Sequence, residues 1–234
     1  DYTWSLNALG ILYYQMGDFT KAEMPYLEAL NIREKTLGKN NVDYARSTAN
    51  LALLYGNKGD YEKAESLNLE AITIIEHILG KGSAEFARCS NNLAILYKDK
   101  GDYEKAEHWY GEAKETWEKI SGKEEPDYAA ALNNLATLYK EKGEYAKAEA
   151  LFLEAKTIWG NKLGKEHPSY ATSITNLASL YVSQGAYDKA KSAFEESISI
   201  LAETVGKENP NYAVNLTGLA SLEYNKDNYP QAEL

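Results

Sequence analysis

Cysteine is nearly missing from this chain. Cys89 is the only one among 234 residues, so no internal disulfide can form, which fits a reducing, cytoplasmic setting. Histidine is scarce too: His77, His108 and His167 stand far apart, in no spacing that would hold a metal. No run of 18 apolar residues occurs, so no membrane span is expected. The first residues, DYTWSLNALG, lack the basic-then-apolar pattern of a secretory signal. Basic residues are outnumbered, 25 Lys and Arg against 35 Asp and Glu, for a net charge of −10. That balance argues against a nucleic-acid partner, whose phosphates call for clustered cations. No glycine-rich phosphate loop appears either. No cofactor is expected, and catalysis by this segment is not.

What the chain has instead is repetition. NNLATLYKEKGEYAKAEALFLEAK, from Asn133, matches NNLAILYKDKGDYEKAEHWYGEAK, from Asn91, at 16 of 24 positions with an offset of 42 residues. The same step links Gly17, Gly59, Gly101, Gly143 and Gly185, and the alanines 22, 64, 106, 148, 190 and 232. A leucine series runs through 9, 51, 93, 135, 177 and 219, and glycines at 38, 80, 122, 164 and 206 each precede a lysine. Repeats are expected at 1–42, 43–84, 85–126, 127–168 and 169–210, with a partial one at 211–234, all within one array.

Each unit reads as two helices. Tyr44, Thr48, Leu51, Leu54 and Tyr55 recur at spacings of three and four, which places them on one helical face. Gly59 should end that helix, because glycine accepts the left-handed backbone of a helix terminus. Asp60 should then cap the next helix, whose apolar stripe runs from Tyr61 to Ile78. Prolines 126, 168 and 210 open the following first helices. The spacing predicts first helices near 2–16, 43–58, 85–100, 127–142, 169–184 and 211–226, and second helices near 19–37, 61–79, 103–121, 145–163 and 187–205. Pro25 falls well inside a second helix, where a lost N–H and a ring clash predict a kink. The last residues, QAEL, stand six residues into a further helix, so a piece of a longer array is expected.

The pattern N-L-A-x-L-Y-x-x-x-G-D-Y-x-K-A-E resembles the tetratricopeptide repeat (TPR), with Leu51, Ala52, Tyr55, Gly59, Tyr61 and Ala64 at that family's packing positions. The segment from Gly164 to Ala171, GKEHPSYA, is similar to the long repeats of kinesin light chains and many bacterial proteins. The resemblance implies an all-α, right-handed superhelical solenoid of antiparallel helix pairs that works as a protein–protein interaction scaffold, holding an extended peptide or a helix of its partner in a concave groove.

Within that fold, Arg46, Ala49, Asn50, Leu53 and Asn57 share the face opposite the leucine stripe, which in TPRs lines a concave groove. The period turns Asn50, Asn92, Asn134 and Asn176 into a ladder, with Asn91 and Asn133 beside two rungs. A primary amide both donates and accepts, so such a row can pair with the backbone of an extended peptide. Kinesin light chains contact cargo peptides through Asn at this position, and the likeness implies the same here. The other reading is that these amides bond to a neighbouring helix and fix the packing of repeats. The ladder breaks at Ala8 and Gly218, so binding should centre on the middle units. Arg46, Arg88, Lys98 and Lys140 stand against Asp99 and Glu141, hinting at a peptide of some acidic character. Arg33 matches a cargo-contacting arginine of the light chains, although its phase continues as Ile75, Trp117, Trp159 and Leu201. Trp117 and Trp159 are read as inter-repeat packing or as groove anchors.

Three residues have blander roles on the same grounds: His167 in a turn, Cys89 as a small buried group, and Asn215-Leu216-Thr217 as a chance match to a glycosylation signal inside a helix. Glutamates 28, 70, 112, 154 and 196 follow the period, as a solvated face or a neighbour's partner would. Of the 19 tyrosines, 15 fall at three repeat positions, which makes them packing residues rather than a base-stacking platform. Two further readings stay open: the sensing segment of a larger enzyme, such as one with a caspase-like (CHAT) protease domain, and a structural spacer that self-associates end to end.

Overall fold

The computed structural model describes residues 2–228, and the side chains of all these but 223 and 225–228. Every regular element among them is a helix. First helices are α1 (Tyr2–Gln15), α3 (Val42–Asn57), α5 (Ala84–Asp99), α7 (Pro126–Glu141), α9 (Pro168–Ser183) and α11 (Pro210–Asn228). Second helices are α2 (Phe19–Leu37), α4 (Tyr61–Leu79), α6 (Tyr103–Ser121), α8 (Tyr145–Lys162) and α10 (Tyr187–Thr204). The expected boundaries hold to within a residue or two. The final expected helix, with Tyr229 and Ala232, lies outside the described residues.

Local chemistry explains the punctuation. Gly59 and Gly80 have φ of 79° and 78°, a left-handed backbone that glycine adopts without a Cβ penalty. Between them, Asp60 caps α4 by accepting the Lys63 backbone N–H at 3.3 Å. Proline occupies the first position of α7 and α9, where its missing N–H costs nothing. Helix α2 runs without interruption from Phe19 to Leu37, with Pro25 buried inside it.

The chain divides into two compact units, Asp1–Ile120 and Ser121–Leu234. In unit 1, α2 packs on α1 and α3, and α4 on α3 and α5; in unit 2, α8 packs on α7 and α9, and α10 on α9 and α11. Small residues set the close helix approach. Ala22, Ala64, Ala106, Ala148 and Ala190 are all fully buried. Larger groups fill the space between, among them Phe86 and Leu54 in unit 1 and Phe152, Ile174 and Leu180 in unit 2. One repeat position carries Tyr26, Tyr110, Phe152 and Phe194, all buried, yet holds Asn68 in the second repeat. Twenty-two residues on, Ser90 stands where unit 2 has Ile174. Asn68 Oδ1 and Ser90 Oγ are both buried without a hydrogen-bond partner.

A second device recurs at the seams. Tyr55 donates its hydroxyl to Glu23 at 2.9 Å, Tyr97 to Glu65 at 2.8 Å and Tyr181 to Glu149 at 3.1 Å. Each reaches back from a first helix to the second helix of the preceding repeat. Lys58 and Lys100 join the first two carboxylates. Lys63 and Lys105 lie 5.0 and 4.9 Å from the centres of the Tyr55 and Tyr97 rings.

Candidate functional site

The face opposite the leucine stripe is built by the first helices, and in each unit it is partly occupied by its own side chains. In unit 1, Asn50 Nδ2 donates to Asn7 Oδ1 at 3.0 Å. In unit 2, Asn176 Nδ2 donates to Asn133 Oδ1 at 2.8 Å. Both bonds span 43 residues, one more than the period, because adjacent asparagines in successive repeats meet first member to second. At these rungs the amide ties neighbouring repeats together. Asn91 and Asn134 are also engaged. Asn92 differs, since Ala49 stands where its amide partner would be. The Asn92 side chain is half-buried and has no hydrogen-bond partner among the described residues.

The basic residues have partners too. Arg46 forms ion pairs with Asp43 at 3.1 Å and with Glu85. Arg88 lies 3.5 Å from the same Glu85 carboxylate and 5.7 Å from the centre of the Trp117 ring. The Arg46 guanidinium holds the Glu85 carboxyl below its ordinary range against the opposing effect of burial. Lys98 contacts Asp99 at 2.8 Å, and Lys140 donates to Ser179 Oγ at 2.9 Å. Arg33 donates to the Asp43 backbone carbonyl at 2.9 Å and to Ser47 Oγ, joining α2 to α3. Its phase is one of packing throughout: Ile75, Trp117, Trp159 and Leu201 are all buried, and Trp159 donates its indole N–H to the Pro126 carbonyl at 3.2 Å.

Sequence reasoning had not included Asn7, Asp43 or Glu85 in this face. Asn7 was findable, because it lies 43 residues before Asn50. The carboxylates were findable from α-helical spacing, since Asp43 is three residues from Arg46 and Glu85 three from Arg88.

No group of three potential metal ligands occurs among the described residues. Cys89 is buried, which pushes its thiol up to about 12 and leaves it protonated and inert at neutral pH. His167 caps α9, accepting the Ser169 backbone N–H at 3.1 Å through Nδ1. Asn215 is fully buried and bonded to Thr175, which closes it to glycosylation in the folded chain. Of the periodic glutamates, Glu28 accepts from Tyr2 at 2.9 Å and Glu70 from Tyr44 at 3.1 Å within their repeats, and Glu196 lies 3.6 Å from Lys156 of the preceding repeat. No described helix is long and apolar enough to cross a membrane.

The model of the tetratricopeptide repeat family matches residues 1–77, 85–159 and 127–203. Comparison with curated proteins found no match. Among solved structures, BtubC (BKLC) from P. vanneervenii is 31% identical, covering 88% of this chain and 82% of its own, with a TM-score of 0.70. A putative kinesin light chain from Podosopora anserina with nearly identical TPR-like repeats is 25% identical, covering 86% and 95% with a TM-score of 0.67. The apo form of RapI shares the fold at 15% identity, covering 96% and 84% with a TM-score of 0.68. These repeats generally mediate protein–protein interaction. The chain is an all-α member of the tetratricopeptide repeat family, with 42-residue repeats like those of kinesin light chains.

Proposed function

We propose that the chain is an interaction scaffold that holds an extended segment of a protein partner along the inner faces of its first helices. Asn92 carries this reading. A half-buried primary amide without an internal partner loses hydrogen bonding unless water or a ligand supplies it. It stands between Arg88 and Ile95 on one face of α5, with spacings of four and three residues. Paired to a peptide backbone, such an amide reads an extended conformation without demanding a particular side chain. The charges nearby favour no strongly acidic partner, because Glu85 and Asp43 already answer Arg46 and Arg88. A segment of mixed or neutral character suits this face better.

The test is partner capture from lysate with the wild type and with Asn92→Ala. Because Asn92 has no internal bond to lose, this variant should keep its circular dichroism and melting temperature. Captured partner should fall about tenfold, the loss of roughly 1.4 kcal/mol for hydrogen bonds left unmade. Asn50→Ala and Asn176→Ala are controls of another kind, expected to lower stability through the lost bonds between repeats. Undiminished capture by Asn92→Ala would move the partner to another surface.

A further inference from the structure

At the last break in the asparagine ladder, unit 2 opens a pocket. Gly218 occupies the ladder position on α11, beside a space of about 340 Å³ between α9 and α11. The ring of Phe194, from α10 behind, packs against the Gly218 backbone and forms part of the pocket wall: a Cβ on residue 218 would lie 2.5 Å from it. Phe194 and Leu222 are buried and line the cavity, whereas Val182 and Val214 are 38% and 55% exposed. Asn176 and Ser221 also line it. Asn176 uses an N–H on Asn133, and its side-chain carbonyl has no hydrogen-bond partner among the described residues. No ionisable side chain lines the space.

From this combination we infer that the pocket receives one uncharged apolar side chain, leucine or phenylalanine, from an extended peptide whose backbone N–H is accepted by Asn176 Oδ1. This deepens the proposed function and rests on it. The volume falls at the low end for ligand sites, enough for one large side chain and too little for a helix. No countercharge lines the space, so a carboxylate or ammonium finds no partner there, whereas an apolar side chain buries surface against Phe194 and Leu222. The ladder alone places binding at the middle units; this pocket lies beside the ladder's last break.

Methyl-labelled protein, full chain, is titrated with N-acetyl-phenylalanine N-methylamide, its leucine analogue and the aspartate analogue. The apolar probes should produce saturable shifts of the Val182, Val214 and Leu222 methyls, and the aspartate probe none. Ser221→Phe, a change at an exposed position, should fill the space and weaken the apolar probes at least tenfold. Gly218→Ala is avoided as the main variant because it drives a methyl into Phe194. Shifts that fail to saturate, that aspartate produces equally, or that survive Ser221→Phe unchanged would overturn the pocket. If that happens while Asn92→Ala still loses its partner, the scaffold reading stands without it. Apolar probes that bind as expected, beside capture indifferent to every inner-face change, would keep the pocket and remove the scaffold reading.

Discussion

Units 1 and 2 are built on one repeat pattern and solve its packing differently. Unit 1 caps its second helices well: Asp18, Asp60 and Asp102 each accept a backbone N–H. Its Glu23 and Glu65 each gather a tyrosine and a lysine. Yet its core holds Asn68 and Ser90 with unanswered oxygens. Unit 2 has the reverse character. Phe152 and Ile174 stand at the same two places, almost fully buried, while Glu144 and Ala186 make no side-chain cap bond. The repeat thus tolerates a weak core where the seams and caps are strong, and weak caps where the core is apolar.

Swapping the core residues breaks the comparison most sharply. Phe152→Asn should destabilise by about 3–5 kcal/mol, because it removes a buried ring and leaves an amide in its place. The reciprocal Asn68→Leu should stabilise by about 1–2 kcal/mol, by removing a buried acceptor that has no donor. Urea denaturation measures both, and hydrogen exchange assigns each effect to its own unit. Equal and small effects would show that the two cores are equivalent after all.

Acid should sharpen the difference next. Lys58 and then the Tyr55 hydroxyl hold the Glu23 carboxyl low, Lys100 and then Tyr97 do so for Glu65, and Arg46 for Glu85. A lowered folded pKa contributes stability that is present above the ordinary carboxyl value of 4.5 and lost as pH falls through the folded value. Melting temperature should therefore decline below about pH 4.5, with amides of α3 to α5 exposed first. Glu65→Gln should flatten that decline, and a slope unchanged by it would dissociate the seam from acid sensitivity. The smallest effect is at a cap: Ala186→Asp should add about 0.5–1 kcal/mol in unit 2, by supplying the acceptor that Asp60 provides in unit 1. The corresponding Asp60→Ala should cost a similar amount.

Helices, turns and their order were legible because glycine, proline and alanine recur at fixed phase, and each acts locally through the backbone. Cys89 as a buried group followed from the same local logic, as did a turn at His167, whose ring the structure shows capping α9. The inner face was less legible. Its asparagines share one phase, but what each amide does depends on the residue 43 positions earlier: Asn7 engages Asn50, while Ala49 leaves Asn92 open. The pocket at Gly218 was invisible for a further reason. It is lined by side chains from three helices, with Phe194 of α10 meeting residues of α9 and α11, a conjunction that periodicity does not encode.

The helix-ending glycines at 17, 38, 59, 80, 101, 122, 143, 164, 185 and 206, all at positive φ, fall every 21 residues, half the repeat. Turns this regular keep nearly every contact within one or two helices along the chain. Contact order is then low, loop closure is cheap, and folding can start at whichever pair forms first. The same regularity makes neighbours interchangeable. Two segments identical at 16 of 24 positions present nearly the same surface to an incoming helix, so chains refolding at high concentration can exchange pairs between molecules.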